Sequence, residues 1–175
     1  DKIKITLSNN GFNEHYSNSL YSKEDIKLNL TNKAIKLRNP LNKEFEFLRN
    51  NMFAGMLKAI SYNLKRNKNY IKIYEIGCIQ VKNDSNYNKS DEKRQITVAW
   101  VGEKLKHWKY PNYIDIYTVK GEIKLFLQNV GFSKISFQYK EKDKINVSVN
   151  SRAIGKIEFL NKNVLLKYDI DSKEE

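Results

Sequence analysis

Histidine, cysteine and paired carboxylates, the side chains that most often perform catalysis, are few and scattered in this 175-residue sequence. His15, His107 and Cys78 lie too far apart along the chain to form a conventional zinc site from their own side chains. Asp115 and Glu122 are single carboxylates without an evident partner, for which a solvated or helix-capping role is expected. The phosphate-binding pattern GxGxxG and the nucleophile pattern GxSxG are also missing from the sequence. The sequence therefore predicts neither a metal site nor a catalytic centre of its own.

One carboxylate stands at an unusual position, inside an apolar strand. The segment from Ile71 to Val81 alternates with period two and is apolar on both faces, which predicts an interior strand. Glu75 falls on the same face as the isoleucines, where an unpaired carboxylate would cost several kcal/mol, so we expect it to have a partner. Arg49 is the nearest candidate. Gly77 lies in mid-strand, where glycine often marks a bulge or a close approach of another group.

The element before this strand is predicted to be an amphipathic helix from Asn51 to Arg66. Its large apolar residues recur at steps of three and four and must be buried: Phe53, Met56, Leu57, Ile60 and Leu64. Cations and a turn-forming residue follow where the helix should end: Lys65, Arg66, Lys68 and Asn69. Helix, basic turn and strand thus form one unit from Leu48 to Lys82.

Four motifs follow one another along the chain. They are the turn Asn39-Pro40, the pair Leu48-Arg49, the strand Tyr74-Glu75-Ile76-Gly77, and Trp108 followed by a segment that contains Asp115, Lys120 and Gly121. In this order they resemble the bacterial phenylalanyl-tRNA synthetase β subunit, in the module that is a degenerate copy of a class II synthetase catalytic domain. The resemblance covers nearly the whole chain, and four motifs in order are more specific than any one of them.

The resemblance implies an α+β fold in which an antiparallel sheet is flanked by helices, as in class II catalytic domains. It implies one domain over residues 1–175, with the editing and anticodon-binding domains of the β subunit outside it. The expected function is a structural module that packs on the catalytic α subunit of an (αβ)₂ enzyme. That enzyme attaches phenylalanine to tRNA-Phe with ATP and magnesium, whereas no cofactor is expected to bind this module itself.

The expected lack of catalysis depends on one position in the strand motif. Active class II enzymes resemble the pattern Y-E-I-G-x-x-F-R, in which the arginine binds the α-phosphate of ATP and the substrate carboxylate. Gln80 and Val81 stand at the last two positions here. An aliphatic side chain cannot donate the paired hydrogen bonds that bind a phosphate, so this copy should not activate an amino acid. The segment that would correspond to the third class II motif is expected beyond Glu175.

Composition bounds the other possibilities. With 40% apolar residues in 175, the chain fits one compact domain with a real core. No run approaches the roughly 20 apolar residues of a membrane span, and the first residues lack the core of a signal peptide, so a cytoplasmic protein without a membrane partner is expected. Cys78 is expected to be a small buried hydrophobic residue.

The net charge of +12 allows two interpretations. The excess lysine either coats a solvated surface, as the abundance of Lys, Asn and Ile suggests, or marks a nucleic-acid partner. A basic nucleic-acid-binding or regulatory domain derived from a synthetase is therefore the alternative function. The aromatic and basic cluster at residues 107–111 also allows two interpretations, since Trp108 could stack on a nucleic-acid base or cover the edge of the sheet.

The other elements follow from periodicity and from cap residues. Lys2 to Asn10 could be a strand or the end of a helix closed by Gly11, and the resemblance favours the helix. Before the central unit we predict a strand over 12–20, a helix from Ser22 to about Asn29, a turn over 31–33, a strand over 34–37 and a loop to Leu48. After it we predict a solvated hairpin tip over 82–94, a strand over 95–101 and a helix over 119–129 ended by Gly131. The last elements are strands near 134–139, 145–149 and 153–159, a helix from Asn161 to Tyr168, and a frayed end from Asp171.

A module that belongs to a large assembly should also expose an apolar patch. We expect this patch on the Met52 to Tyr62 helix and the Leu41 to Phe47 loop, including Phe45 and Met56. The isolated chain could then self-associate.

Overall fold

A computed structural model describes residues 1–28, 34–83, 90–102, 114–141 and 144–170. The helices are α1 (Lys2–Asn9), α2 (Lys23–Ile26), α3 (Phe53–Leu64), α4 (Ile116–Val130) and α5 (Lys162–Leu166), with a 3₁₀ turn at Lys43–Phe45. The strands are β1 (Asn13–Glu14), β2 (Leu20–Tyr21), β3 (Ile35–Lys36), β4 (Phe47–Leu48), β5 (Ile71–Lys82), β6 (Ser90–Val101), β7 (Ile135–Glu141), β8 (Lys144–Val149) and β9 (Arg152–Glu158).

The long antiparallel pair β5 and β6 forms the centre of the fold. The pairing runs without a break from Ile71 opposite Val101 to Lys82 opposite Ser90, and β1 lies parallel to the start of β5. Helix α3 covers one face of β5, where Leu57 and Ile60 pack against Ile71. Helices α1 and α4 cover the other face, where Leu7 and Phe126 pack around Tyr74. The strand is therefore interior and covered on both faces, as its two apolar faces predict.

Two smaller sheets complete the described part of the chain. Strand β4 lies between β2 and β3 with antiparallel pairing on both sides. Strands β7, β8 and β9 form an antiparallel meander, and Ile145, Val147 and Val149 of β8 point into the core. These three strands confirm the prediction from period-two alternation.

The helix ends confirm several predictions made from cap residues. Helix α1 is the alternative that the resemblance favoured, and Gly11 follows it with a φ of +78°. The amides of Gly11 and Phe12 donate to the carbonyls of Ser8 and Leu7, which is the Schellman pattern. Gly131 ends α4 in the same left-handed region, with a φ of +113°. Ser22, Asp115 and Asn161 cap the amino ends of α2, α4 and α5.

The predicted single strand over 12–20 is wrong, because the segment contributes two short strands to two sheets. The amide of His15 still donates to the carbonyl of Tyr74, 2.7 Å away, and the chain then leaves β5. The side-chain oxygen of Asn18 accepts from the amide of Leu20, a local turn that competes with the ladder. Apolar alternation alone does not reveal this turn.

Other boundaries also differ from the predictions. Helix α2 ends at Ile26 rather than near Asn29, and the predicted loop before Leu48 contains a 3₁₀ turn and β4. The predicted hairpin tip contains strand at its far end, because β6 begins at Ser90 and continues the ladder despite its charged residues. Helix α4 begins three residues earlier than predicted, at the Asp115 cap.

The expected exposed patch on α3 is wrong, because Met52 and Met56 are buried in the core. Phe45 and Phe47 are half-buried, whereas Leu41 in the loop is 90% exposed and Tyr62 on α3 is 57% exposed. Cys78 is half-buried rather than buried.

Several predictions concern residues that the structure does not describe. These are the turn over 31–33, the centre of the hairpin tip, the cluster over 107–111 with Trp108, and the end from Asp171. In the described ranges, no helix has the length and apolar character needed to cross a membrane.

Candidate functional site: the buried Arg49–Glu75 pair

Arg49 stands where three separate segments of the chain meet. It directly follows β4, and its amide donates to the carbonyl of Ser19 at 2.9 Å. Its own carbonyl accepts from the amide of Gln80 on β5 at 2.8 Å. The backbone of Arg49 therefore links the start of β2 to the far half of β5, and this fixes the direction of its side chain.

The side chain of Arg49 forms the predicted ion pair with Glu75. Arg49 Nη1 lies 2.5 Å from Glu75 Oε1, and Arg49 Nε donates to the carbonyl of Cys78 at 2.8 Å. Ser17 Oγ donates to the second carboxylate oxygen of Glu75 at 2.7 Å and accepts from Arg49 Nη1 at 3.3 Å. Arg49 and Glu75 are 6% and 1% exposed, so both charges are buried and both have polar partners.

Glycine at position 77 is required by this pair. A Cβ atom placed on Gly77 would overlap the guanidinium of Arg49, and it would lie 3.3 Å from the sulfur of Met52. Gly55 on α3 is similar, because a Cβ there would overlap the side chain of Ser17. The glycine in mid-strand therefore marks a close approach, one of the two alternatives that the sequence left open.

The arrangement is suited to holding the chain together rather than to proton transfer. Both oxygens of the Glu75 carboxylate accept hydrogen bonds from Arg49 and Ser17, and the backbone of β5 accepts another from Arg49. Breaking such a buried pair by removing one partner is expected to cost about 3–5 kcal/mol, since the other charge stays buried without compensation. The pair ties the segment at Ser17, the end of β4 and the middle of β5 into one unit.

The structure brings only some of the motif residues together. Tyr74 and Ile76 lie on either side of Glu75 in β5 and point to the opposite face of the sheet, where Tyr74 is buried against Phe12 and Leu7. Asn39 and Pro40 lie in a turn before the 3₁₀ turn, and Leu48 ends β4 directly before Arg49.

The motif residues of α4 lie across the sheet from Glu75. The carboxylate of Asp115 accepts from the amide of Thr118 at 2.6 Å. Hydrogen bonds from the side chain and from the amide of Thr118 lower the pKa of Asp115. Lys120 Nζ lies over the rings of Phe137 and Tyr139 at 5.4 and 5.2 Å. Gly121 is exposed, and a Cβ there would have no neighbour within 4 Å. These residues shape α4 and its contact with β7.

Val81 occupies the position where the resemblance expects an ATP-binding arginine to be lost. It is half-buried near the end of β5, and Asp91 of β6 lies directly opposite it on the same face of the ladder. On the other face, Gln80 Nε2 donates to Glu92 at 2.6 Å. This end of the hairpin therefore presents an aliphatic side chain beside a carboxylate. Neither group can bind a phosphate by donating hydrogen bonds.

One buried lysine, Lys72, was not singled out from the sequence. Lys72 is 5% exposed, its Nζ donates to the carbonyl of Asn10 at 2.8 Å, and it lies over the rings of Phe12 and Trp100. Glu122 Oε2 is 3.6 Å from this Nζ, so Glu122 has a charged partner and the expectation of a solvated carboxylate is wrong. The available signal was a lysine at an alternating position of an otherwise apolar strand.

Asp25 is the second buried acid that the sequence did not single out. It is 3% exposed and accepts from Lys58 at 2.7 Å, from Ser22 at 2.8 Å and from the hydroxyl of Tyr168 at 3.0 Å. Burial by itself would raise the pKa of Asp25, but the hydrogen bonds from Lys58 and Ser22 outweigh it, and the pKa is lowered. Burial, together with the negative charge of Asp25, raises the pKa of Tyr168. This cluster joins α2 and α3 to the segment after α5.

Among the described residues, no group of three or more histidine, cysteine or acidic side chains is arranged to hold a metal ion.

The comparisons with known proteins agree on one family. A family model described as the phenylalanyl tRNA synthetase beta chain CLM domain matches residues 1–173. The phenylalanine–tRNA ligase beta subunit of Clostridium tetani is 23% identical over 99% of this chain and 22% of its own length. That of Halalkalibacterium halodurans is 27% identical over 88% of this chain and 21% of its own length. The chain therefore spans about a fifth of the length of these curated relatives.

A solved structure supports the fold independently. A pyrrolysyl-tRNA synthetase from Desulfitobacterium hafniense superposes on 97% of this chain and 60% of its own chain, with a TM-score of 0.74 and 14% identity. At that identity the likeness shows the fold alone, and it confirms the expected α+β architecture of a class II synthetase catalytic domain. Together with the family match over nearly every residue, this shows that the chain belongs to the class II-like CLM domains of phenylalanyl-tRNA synthetase beta chains.

Proposed function

We propose that this domain is a non-catalytic structural module of a phenylalanine–tRNA ligase β subunit, and that it packs on the catalytic α subunit of an (αβ)₂ enzyme. The observation that carries the proposal is the pairing of Val81 with Asp91 at the place where an active copy of the fold would hold an arginine. A carboxylate at this place repels the phosphates of ATP, and an aliphatic side chain cannot compensate for that repulsion.

The buried polar residues support a structural role. The hydrogen bonds of the Arg49–Glu75 pair join the pair to Ser17 and to the backbone of β5. Asp25 and Lys72 likewise bond to groups that join separate segments of the chain. In each case the charge is used to fix packing.

In this proposal ATP and magnesium serve the whole enzyme, and the described residues at the Val81 end of the hairpin do not fit a phosphate. The hairpin end at Val81 offers no cation at the critical position, and Asp91 adds a negative charge. Phenylalanine and tRNA-Phe are likewise substrates of the assembled ligase, whose activity belongs to the α subunit.

The surface for the α subunit is best sought in the loop before β4 rather than on α3. Leu41 is 90% exposed beside the half-buried Phe45, whereas the methionines of α3 are in the core. An exposed leucine in an ordered loop is the kind of apolar group that an assembly covers.

The lack of ATP chemistry is tested by calorimetric titration of the purified chain with ATP and magnesium, followed by a phenylalanine-dependent pyrophosphate exchange assay. We expect no saturable heat and no exchange. The variant Val81→Arg should also stay inactive, because the new arginine would pair with Asp91 across the ladder.

The double variant Val81→Arg, Asp91→Asn removes that internal partner and is the stricter version of the test. It should still form no adenylate, since the reaction needs pre-positioned donors along the whole triphosphate. Saturable ATP binding by the unmodified chain, or exchange in either variant, would contradict the proposal.

A further inference from the structure

The carboxyl end of α1 carries the single Asn-Gly pair of the sequence, Asn10-Gly11. An asparagine that precedes a glycine is chemically labile. Because glycine has no Cβ atom, its amide nitrogen can approach the asparagine side chain with the least steric hindrance. The pair is therefore a candidate for deamidation, a covalent change that proceeds without an enzyme.

The reaction at such a pair needs only water as a co-reactant. The Gly11 nitrogen forms a bond to Asn10 Cγ and gives up its proton, and the Cγ–Nδ2 bond breaks to release ammonia. Water then adds to one of the two carbonyls of the resulting imide, and the bond from that carbonyl to nitrogen breaks. If the carbonyl is the former main-chain carbonyl of Asn10, the chain now runs through the side chain as isoaspartate. In the other case residue 10 becomes aspartate.

The folded backbone holds the pair in an unreactive geometry. The imide ring contains the Gly11 nitrogen and Asn10 Cβ on the same side of the Cα–C bond. The ψ angle of Asn10 is 12°, which places the Gly11 nitrogen beside the amide nitrogen of Asn10 and away from its Cβ. The Gly11 amide also donates to the carbonyl of Ser8 at 2.9 Å. Ring closure therefore requires rotation about ψ and loss of this hydrogen bond.

The same rotation would break a contact between α1 and β5. The carbonyl of Asn10 accepts from Lys72 Nζ at 2.8 Å, and rotation about ψ turns this carbonyl away from the lysine. The next amide, that of Phe12, donates to the carbonyl of Leu7 at 3.1 Å, and both side chains are buried around Tyr74. Ring closure therefore requires the carboxyl end of α1 to open locally from the sheet.

The side-chain amide of Asn10 favours this opening. Its Nδ2 atom is buried, and among the described residues none accepts a hydrogen bond from it. A buried donor without an acceptor costs free energy that it recovers on exposure to water. The reactive amide is thus the group that gains most when the end of α1 opens.

We propose that Asn10 is a site of spontaneous conversion to isoaspartate, and that local opening of the carboxyl end of α1 sets its rate. Isoaspartate adds a methylene group to the main chain, which moves Gly11 out of position for its bond to Ser8. The new carboxylate also lies at the negative end of the α1 dipole. The converted helix therefore cannot return to its original packing on β5. This proposal does not rest on the proposed function.

The first test follows the unmodified chain in mildly alkaline buffer, folded and in concentrated urea, by peptide mapping with mass spectrometry. Isoaspartate is identified by labelling with an isoaspartyl methyltransferase. In urea, Asn10 should convert before every other asparagine. In the folded chain its conversion should be roughly tenfold slower or more, since only the open fraction reacts. Equal rates in the two states, or earlier conversion of another asparagine in urea, would overturn the proposal.

A pair of core variants separates local opening from global unfolding. Leu7→Ala loosens the packing of α1 on β5, whereas Ile26→Ala removes the same number of carbon atoms from the separate cluster around Tyr21 and Ala54. Conversion at Asn10 should be roughly fivefold faster in folded Leu7→Ala than in folded Ile26→Ala. Equal acceleration in both variants would show that conversion follows global unfolding, and would overturn the proposed local opening. The comparison of folded and urea-unfolded chain stands even if a variant does not fold.

Discussion

At the scale of single residues, the central feature is the buried charge of Arg49, which the carboxylate of Glu75 on β5 neutralises. Glu75 could be assigned a partner from the sequence, since it falls on an apolar face and Arg49 precedes the adjoining helix. Ser17 could not be found in this way. It lies 58 residues before Glu75, in a segment whose alternation predicted a continuous strand. A contact between segments so distant in sequence depends on the tertiary fold, which local periodicity does not report.

The close approach at Gly77 leads to a prediction about stability. The substitution Gly77→Ala should lower the free energy of unfolding by about 1–3 kcal/mol, because the methyl group displaces the Arg49 guanidinium from its partners. The measurement is urea denaturation followed by circular dichroism.

Gly121→Ala is the matched control. Its Cβ would have no neighbour within 4 Å, and it lies in α4, where alanine is favoured over glycine by about 0.5–1 kcal/mol. Gly121→Ala should therefore be neutral or stabilising. If Gly77→Ala were as stable as the control, the close packing of Arg49 on β5 would be refuted.

At the scale of elements, the cap residues were more informative than the strand patterns. Gly11, Ser22, Gly131 and Asn161 marked helix ends correctly, because the backbone groups at a helix terminus need specific partners or a left-handed residue. The start of β6 was missed because its first residues are charged. They form the ladder at its solvated end, where the partner strand is present and burial is not required.

The Asp25 cluster, which joins α2, α3 and the segment after α5, should make the free energy of unfolding depend on pH in the acid range. The pKa of Asp25 is lowered in the folded state, so its contribution is complete above the unfolded value of about 3.9 and is lost as the pH falls through the folded pKa. The urea midpoint should therefore fall as the pH drops below about 4.

In Asp25→Asn, stability should be lower at pH 7, and this part of the acid dependence should disappear. Glu24→Gln is a control on the same helix, since Glu24 is exposed and should leave the midpoint at pH 7 nearly unchanged. The same acid dependence in Asp25→Asn and in the unmodified chain would show that the Asp25 cluster does not hold these elements together.

At the scale of the whole molecule, the order of motifs predicted the family and the fold correctly, while surface properties did not follow from it. Four motifs at the right spacing specify a topology, since each fixes the end or the centre of an element. Exposure depends on which faces the topology covers. The methionines of α3 were expected at a surface, but Met52 and Met56 are core residues. The net charge of +12 likewise gives no location for the cations.

The proposed role of this domain is to pack on an α subunit as a structural module. The most direct measurement is co-expression of the chain with a tagged phenylalanine–tRNA ligase α subunit from the same source, affinity capture, and size-exclusion chromatography with light scattering. Leu41→Asp, in the exposed loop before β4, should weaken capture, whereas Tyr16→Asp, at a residue 87% exposed, should not. We expect the chain and the α subunit to elute together in equal amounts. A folded chain that elutes alone while the α subunit is captured in full would contradict it.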